Sequence, residues 1–238
     1  QLAKHHTDNA EAYQLYLKGQ YEWKKFTQED LQKGIDYYNQ AIAKDPNYAL
    51  AYAGLSSSYG VLGNSYLPPN ETFPKAKAYA TRALELDETL GEAHTVMGAV
   101  NLLYDWNWAE AEREFKRAQV LDPNDEGAYN LYGYFLNAMG RFDEAKVETK
   151  RAQELDPLAP MINTDVGVDS YYARQYDEAI AQIEKTINSD PHFFIAYLWL
   201  GQAYEQKKMH AEAIATFQKG IDQAERHPQL LASLAHAY

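Results

Sequence analysis

Residues 194–221 read FIAYLWLGQAYEQKKMHAEAIATFQKGI. Tyr197, Leu200, Gly201 and Tyr204 fall at i, i+3, i+4 and i+7, the spacing of one apolar stripe on a helix and not of a half-buried strand. Lys207-Lys208 then interrupts the pattern. A second stripe opens at His210 and carries Ala213 and Gly220, so the stretch reads as helix, turn, helix.

Outward from Gly201, a small residue recurs in the middle of an apolar stretch at Gly19, Ser56, Gly98, Gly133, Gly167 and Ala235. The successive spacings along the set are 37, 42, 35, 34, 34 and 34, which is a period of 34 with additions in the first three units. A second set, Gly34, Ala76, Ala111, Ala145, Ala179 and Ala213, places every addition between the two markers. A third follows at Ala41, Ala83, Ala118, Ala152, Thr186 and Gly220. Then comes Asp-Pro at 45–46, 122–123, 156–157 and 190–191, where proline ends a helix because it lacks a backbone donor and restricts the residue before it. A bulky residue opens each second helix, at Leu31, Phe73, Trp108, Phe142, Tyr176 and His210. It is expected to fill the wedge that the small residues leave where helices approach.

A 34-residue helix-turn-helix unit with Tyr or Trp, Leu-Gly, Tyr, Ala, Phe, Ala and Pro markers resembles the tetratricopeptide repeat. The likeness runs from about residue 10 to residue 238, with departures at Thr186, Gly220, Glu88 and the eight additional residues around Leu67-Pro68-Pro69. It implies an all-α solenoid, a right-handed superhelix of antiparallel helix pairs. The expected organisation is a tail or linker at 1–9 and six repeats over 10–227, at about 12–48, 49–90, 91–125, 126–159, 160–193 and 194–227. The first helix of a seventh, truncated repeat follows at 228–238. YQLYLKGQY near the start and YDWNWAEAEREFKRA in the third unit resemble the repeat regions that close bacterial multidomain signalling proteins.

Composition narrows the function. The 238 residues are 46% apolar, enough for a sizeable core, and carry a formal charge of −12, which repels phosphate backbones and disfavours a nucleic-acid binder. With no Cys there is no disulfide framework, thiolate metal site or Cys nucleophile. The longest apolar run, 193–200, is far short of the roughly 20 residues that cross a bilayer, so no membrane insertion is expected of this stretch. The reading is of a soluble segment, cytoplasmic by default with a periplasmic setting left open. Both ends read as cuts in a longer chain.

No HExxH, GxSxG, GxxxxGK[ST] or GxGxxG occurs, and His5, His6, His94, His192, His210, His227 and His236 show no metal-ligand spacing beyond adventitious capture at His5-His6. No enzyme, cofactor or metal is expected.

In the family the first helix of each unit lines the concave side. Helical geometry places Glu92 and Thr95, then Asn130, Tyr134 and Asn137, then Thr164, Val168 and Tyr171, then Leu198, Gln202 and Glu205 on the face opposite the signature stripe. Of 20 positions there, only Glu92 and Glu205 are charged. Such a face packs against neighbouring helices or is kept for a ligand. Amides that donate and accept, and tyrosines that offer flat area, suit an extended peptide with a basic group opposite Glu205. The absence of Lys and Arg there disfavours a carboxylate clamp. Two functions stay open: a non-catalytic module binding a peptide or protein on the concave face, or a structural, self-associating sensor or spacer arm. The final helix is expected to expose Leu231, Leu234 and Tyr238 and to form homo-oligomers through them. Trp106 is a further interaction candidate, and the Pro68-Pro69 addition reads as either a binding loop or a spacer.

Overall fold

The computed structural model describes residues 7–223 and 227–238, so His5 and His6 lie outside the described residues. Within them the fold is all-α, with thirteen helices and no strand. They are α1 (Ala10–Trp23), α2 (Gln28–Lys44), α3 (Ala49–Ser65), α4 (Pro69–Leu86), α5 (Gly91–Leu103), α6 (Trp108–Leu121), α7 (Glu126–Ala138), α8 (Phe142–Leu155), α9 (Pro160–Tyr172), α10 (Tyr176–Ser189), α11 (Phe194–Gln206), α12 (His210–Gln223) and α13 (Pro228–Ala237). The chain divides into two compact units, one ending at Ala128 and one beginning at Tyr129. In the first, each of α1 to α5 packs on the next helix, and α3 also touches α1 and α5. In the second, the same chain of contacts runs from α8 to α13, with α11 also touching α9 and α13.

Turn chemistry sets the helix ends. The aspartates at 45, 87, 122, 156 and 190 each follow the last helical residue, and each accepts a hydrogen bond from the backbone N–H two residues on, at 2.9–3.1 Å. These are Asx turns. Asp87 makes one although Glu88 stands where the others have proline, so the carboxylate shapes the corner and the proline only stiffens it. At four of these corners the residue six positions on reaches back to the loop: Tyr52, Asn163 and Tyr197 donate to the carbonyls of Pro46, Pro157 and Pro191, and His94 Nε2 meets that of Glu88.

The turns inside the pairs share a left-handed residue at Phe26, Trp106, Gly140, Arg174 and Lys208. The third to fourth helix connection is the exception. Its eight additional residues form neither a loop nor a spacer: α3 and α4 are 17 and 18 residues long against 13 and 14 in α9 and α10, which leaves 66–68 as the turn. Pro69 stands at the start of α4, where its missing N–H costs nothing.

The small markers work by close approach, but the wedge residue is not the one expected. Phe115 and Phe217 lie over Gly98 and Gly201, Ile183 over Gly167, and Tyr38 between Gly19 and Gly54. Each sits four residues after the second small marker, one helical turn further in. Of the expected wedge set, Leu31 and Phe73 are buried, whereas Trp108 is half exposed and His210 exposed. A residue at the first turn of the second helix is too near the end of the pair to be covered from both sides. At the C-terminal end Leu230 is fully buried and Leu234 packs against the Phe194 and Phe217 cluster, while Leu231 and Tyr238 are exposed.

Candidate partner-binding face

The sequence-selected residues separate by burial. Thr95, Asn137, Thr164, Val168 and Leu198 are buried, whereas Glu92, Asn130, Tyr134, Tyr171, Gln202 and Glu205 keep part of their surface. Thr164 returns its hydroxyl to the Pro160 carbonyl at 2.8 Å and Leu198 belongs to the Phe194 cluster. These buried members support the face from beneath.

In the first unit Glu92 stands near the Tyr16, Tyr38 and Tyr48 phenols, and its charge adds to the burial that raises all three. Burial pushes Glu92 itself up to about 8, with Asp125 and Glu126 adding like charge. Asp125 is raised to about 6 by burial and by Glu126. It accepts from the Thr95 hydroxyl at 3.3 Å and from the Gly127 N–H at 3.0 Å.

In the second unit the amides of α7 are already engaged. Asn130 Nδ2 donates to Asp165 Oδ2 at 2.8 Å, and Asn137 Nδ2 donates to Asp169 Oδ1 at 2.6 Å. Asp165 and Asp169 lie one turn apart on α9. Burial raises Asp165 to about 7, Asn130 opposing and Asp169 adding to the effect. Burial also raises Asp169 to about 6, against Asn137, the Thr149 hydroxyl and Lys146. Asp165 is desolvated yet retains some accessible surface. Tyr134 and Tyr172 interact through their phenols beside it. Tyr172 and Tyr171 meet Trp199 edge-on, with ring centroids 5.9 and 5.5 Å apart. Glu205 Oε1 is 3.2 Å from His236 Nδ1.

In each unit the selected residues therefore sit among carboxylates, contrary to the near-uncharged surface expected. Asp125, Asp165 and Asp169 were missed because a wheel drawn for one helix assigns Asp165 and Asp169 to its flank, and Asp125 precedes its helix. The signal was present one repeat along, since Asn130 and Asp165 are 35 residues apart. Trp106 is 71% exposed at a turn. Among the described residues no group of three or more His, Asp or Glu could hold a metal ion, and no helix is long and apolar enough to cross a membrane.

Comparison with known proteins gives local family matches and relatives in fold. Residues 126–157 and 167–228 each match a family model described as tetratricopeptide repeat. Over 132 residues, 55% of this chain, it is 26% identical to the transcriptional regulator HilA of Salmonella typhimurium, and the match spans 24% of that protein's length. Yeast Tom70 superposes with a TM-score of 0.69 at 16% identity, covering 97% of this chain and 50% of that one. The thermophilic protein TTC0263 of Thermus thermophilus gives 0.65 at 19% identity, covering 76% and 98%. At these identities the structural likeness is one of fold. Registered markers, paired helices and family matches agree: residues 126–157 and 167–228 are tetratricopeptide repeats, and the described chain has the all-α fold of a tetratricopeptide solenoid.

Proposed function

We propose that this chain is a non-catalytic interaction module, and that the inner face of its second unit takes an extended segment of a partner protein. The tetratricopeptide fold is that of a protein-interaction scaffold in general. The observation that carries the finer reading is the row of half-exposed Asn130, Tyr134, Tyr171, Gln202 and Glu205 with no Lys or Arg among them. Flat aromatic area and the Gln202 amide form adaptable contacts at low entropic cost. The acidic whole speeds capture of a basic segment.

The test is photo-crosslinking in cells that make the protein. A photoreactive residue replaces Gln202 on the inner face, or Val147, which is exposed on α8. Partner adducts from position 202 and none from 147 support the reading. Adducts only from 147 put the interface on the second helices and overturn it.

A second reading has its own observation. The match to a regulator of which only 24% is covered suits an arm within a longer protein, and exposed Leu231 and Tyr238 suit self-association. Concentration-dependent oligomers with no adducts at position 202 favour it.

A further inference from the structure

We propose that Asp165 and Asp169, held by Asn130 and Asn137 and walled by Tyr134 and Tyr172, form a pocket for one cationic side chain, arginine or lysine, of the bound segment. The proposal rests on the inner-face reading above and names the chemistry that face selects.

Three observations on the second unit converge. The first is an excess of acceptors over donors. Each asparagine spends its amide nitrogen on a carboxylate, so what the cluster presents is oxygen. Asn137 is 5% exposed and Asp169 2%, and Asn137 Oδ1, like Asn130 Oδ1, is buried with no donor, while Asp169 draws only on Asn137 and the Thr149 hydroxyl. A buried acceptor without a donor costs about 1–3 kcal/mol, and two together call for a group that brings only donors. A guanidinium has five and an ammonium three, with no acceptor.

The second is the lack of an internal counter-ion. Lys146 is the cation that Asp169 senses, but its ammonium is committed to Gln175 and Glu178. Among the described residues, no positive charge contributes to the environment of Asp165. The third is the wall. Tyr134 and Tyr172 lie within reach of the Asp165 charge, which adds to the burial that raises both phenols, and Tyr172 continues through Trp199 to Tyr171. Aromatic faces attract cations, the more so where water is thin. The pocket also has an entrance, because Asp165, Asn130 and Tyr134 retain accessible surface above the buried Asp169 and Asn137. Two carboxylates one helical turn apart suit a planar fork that can bond to both.

The test uses the full chain and fluorescein-labelled peptides of one extended Gly-Ser-Tyr background, with a single central Arg, Lys, citrulline or acetyl-lysine. Citrulline and acetyl-lysine keep the shape and remove the charge. The expected result is at least tenfold tighter binding of the Arg and Lys peptides than of their neutral partners. In Asp165→Asn and Asp169→Asn, each with unchanged circular dichroism, that preference falls to about unity. Asn accepts the same amide bond, so the variants remove charge and spare packing. Equal affinity for charged and neutral peptides overturns the pocket while leaving the inner-face reading intact. A cation preference that survives in both variants also overturns it, because the charge is then read elsewhere. Loss of preference in the variants without crosslinking from position 202 supports the pocket and removes the wider inner-face reading.

Discussion

Asn137 on α7 gives its side-chain amide to Asp169 on α9 across 2.6 Å, and both side chains are buried. The bond joins two first helices one repeat apart, which makes the amide part of the scaffold and not a free contact for a ligand. Asn137→Ala leaves a buried carboxylate without its donor and is expected to cost about 1–3 kcal/mol. Asp169→Ala orphans the asparagine and costs a similar amount. Because each variant removes the same bond, the double variant should cost less than the sum. Urea unfolding of the four proteins checks this, and strictly additive losses would show that the pair shares no energy.

Protonation provides a second handle on the same residues. Burial raises Glu92 to about 8, Asp165 to about 7, and Asp125 and Asp169 to about 6. A carboxyl group raised in the folded state binds more protons folded than unfolded. Its contribution to stability is fully present below the unfolded value near 3.8 for Asp, and is lost as the pH rises through the folded value. Across roughly three pK units, Asp165 alone is a matter of a few kcal/mol. The melting temperature should therefore be higher at pH 5 than at pH 8.5. Asp165→Asn should be more stable than the parent at pH 8.5 and should flatten the profile. A melting temperature that climbs with pH over this window would contradict the assignment.

The contrast between the pairs and the face explains what could be read in advance. Gly98 and Gly201 marked close helix approach because a glycine within a helical stripe has few other uses, and Phe115 and Phe217 do lie over them. That relation is internal to one helix pair, and so is visible in a local pattern. The acidic floor is not local. Asp165 lies about 100° round the helix from Thr164 and acquires its meaning only from Asn130 on another helix. The additional residues around Pro68 misled for a related reason. Prolines signalled a loop, but Pro69 can occupy the first helical position, so the extra length lengthened α3 and α4.

The end of the chain offers a test of the self-association reading. On α13, Leu230 is fully buried while Leu231 is 42% and Tyr238 81% exposed. Exposed apolar groups beside a packed cluster bind hydrophobic dye and favour contact between copies. Leu231→Glu should lower dye fluorescence and remove any concentration dependence in sedimentation, leaving the unfolding free energy within about 0.5 kcal/mol of the parent's. Dye binding and sedimentation unchanged by the substitution would place the adhesive surface elsewhere.

The turns inside the helix pairs allow stabilisation at sites remote from the face. Arg174 and Lys208 both hold φ at 60°, and Gly140 occupies the matching position at 73°. For an L side chain this region costs about 1–2 kcal/mol, because Cβ crowds the following carbonyl. Glycine avoids that cost but loses about 0.5–1 kcal/mol in unfolded-state entropy. Both side chains are exposed, so little packing is lost on removing them. Arg174→Gly and Lys208→Gly should each gain about 0.5–1 kcal/mol, while Gly140→Ala should lose about 1 kcal/mol. A gain in the first two and a loss in the third, measured by urea unfolding, would establish the left-handed residue as a common requirement of these turns. Losses in all three would mean that Arg174 and Lys208 contribute contacts that outweigh their backbone strain.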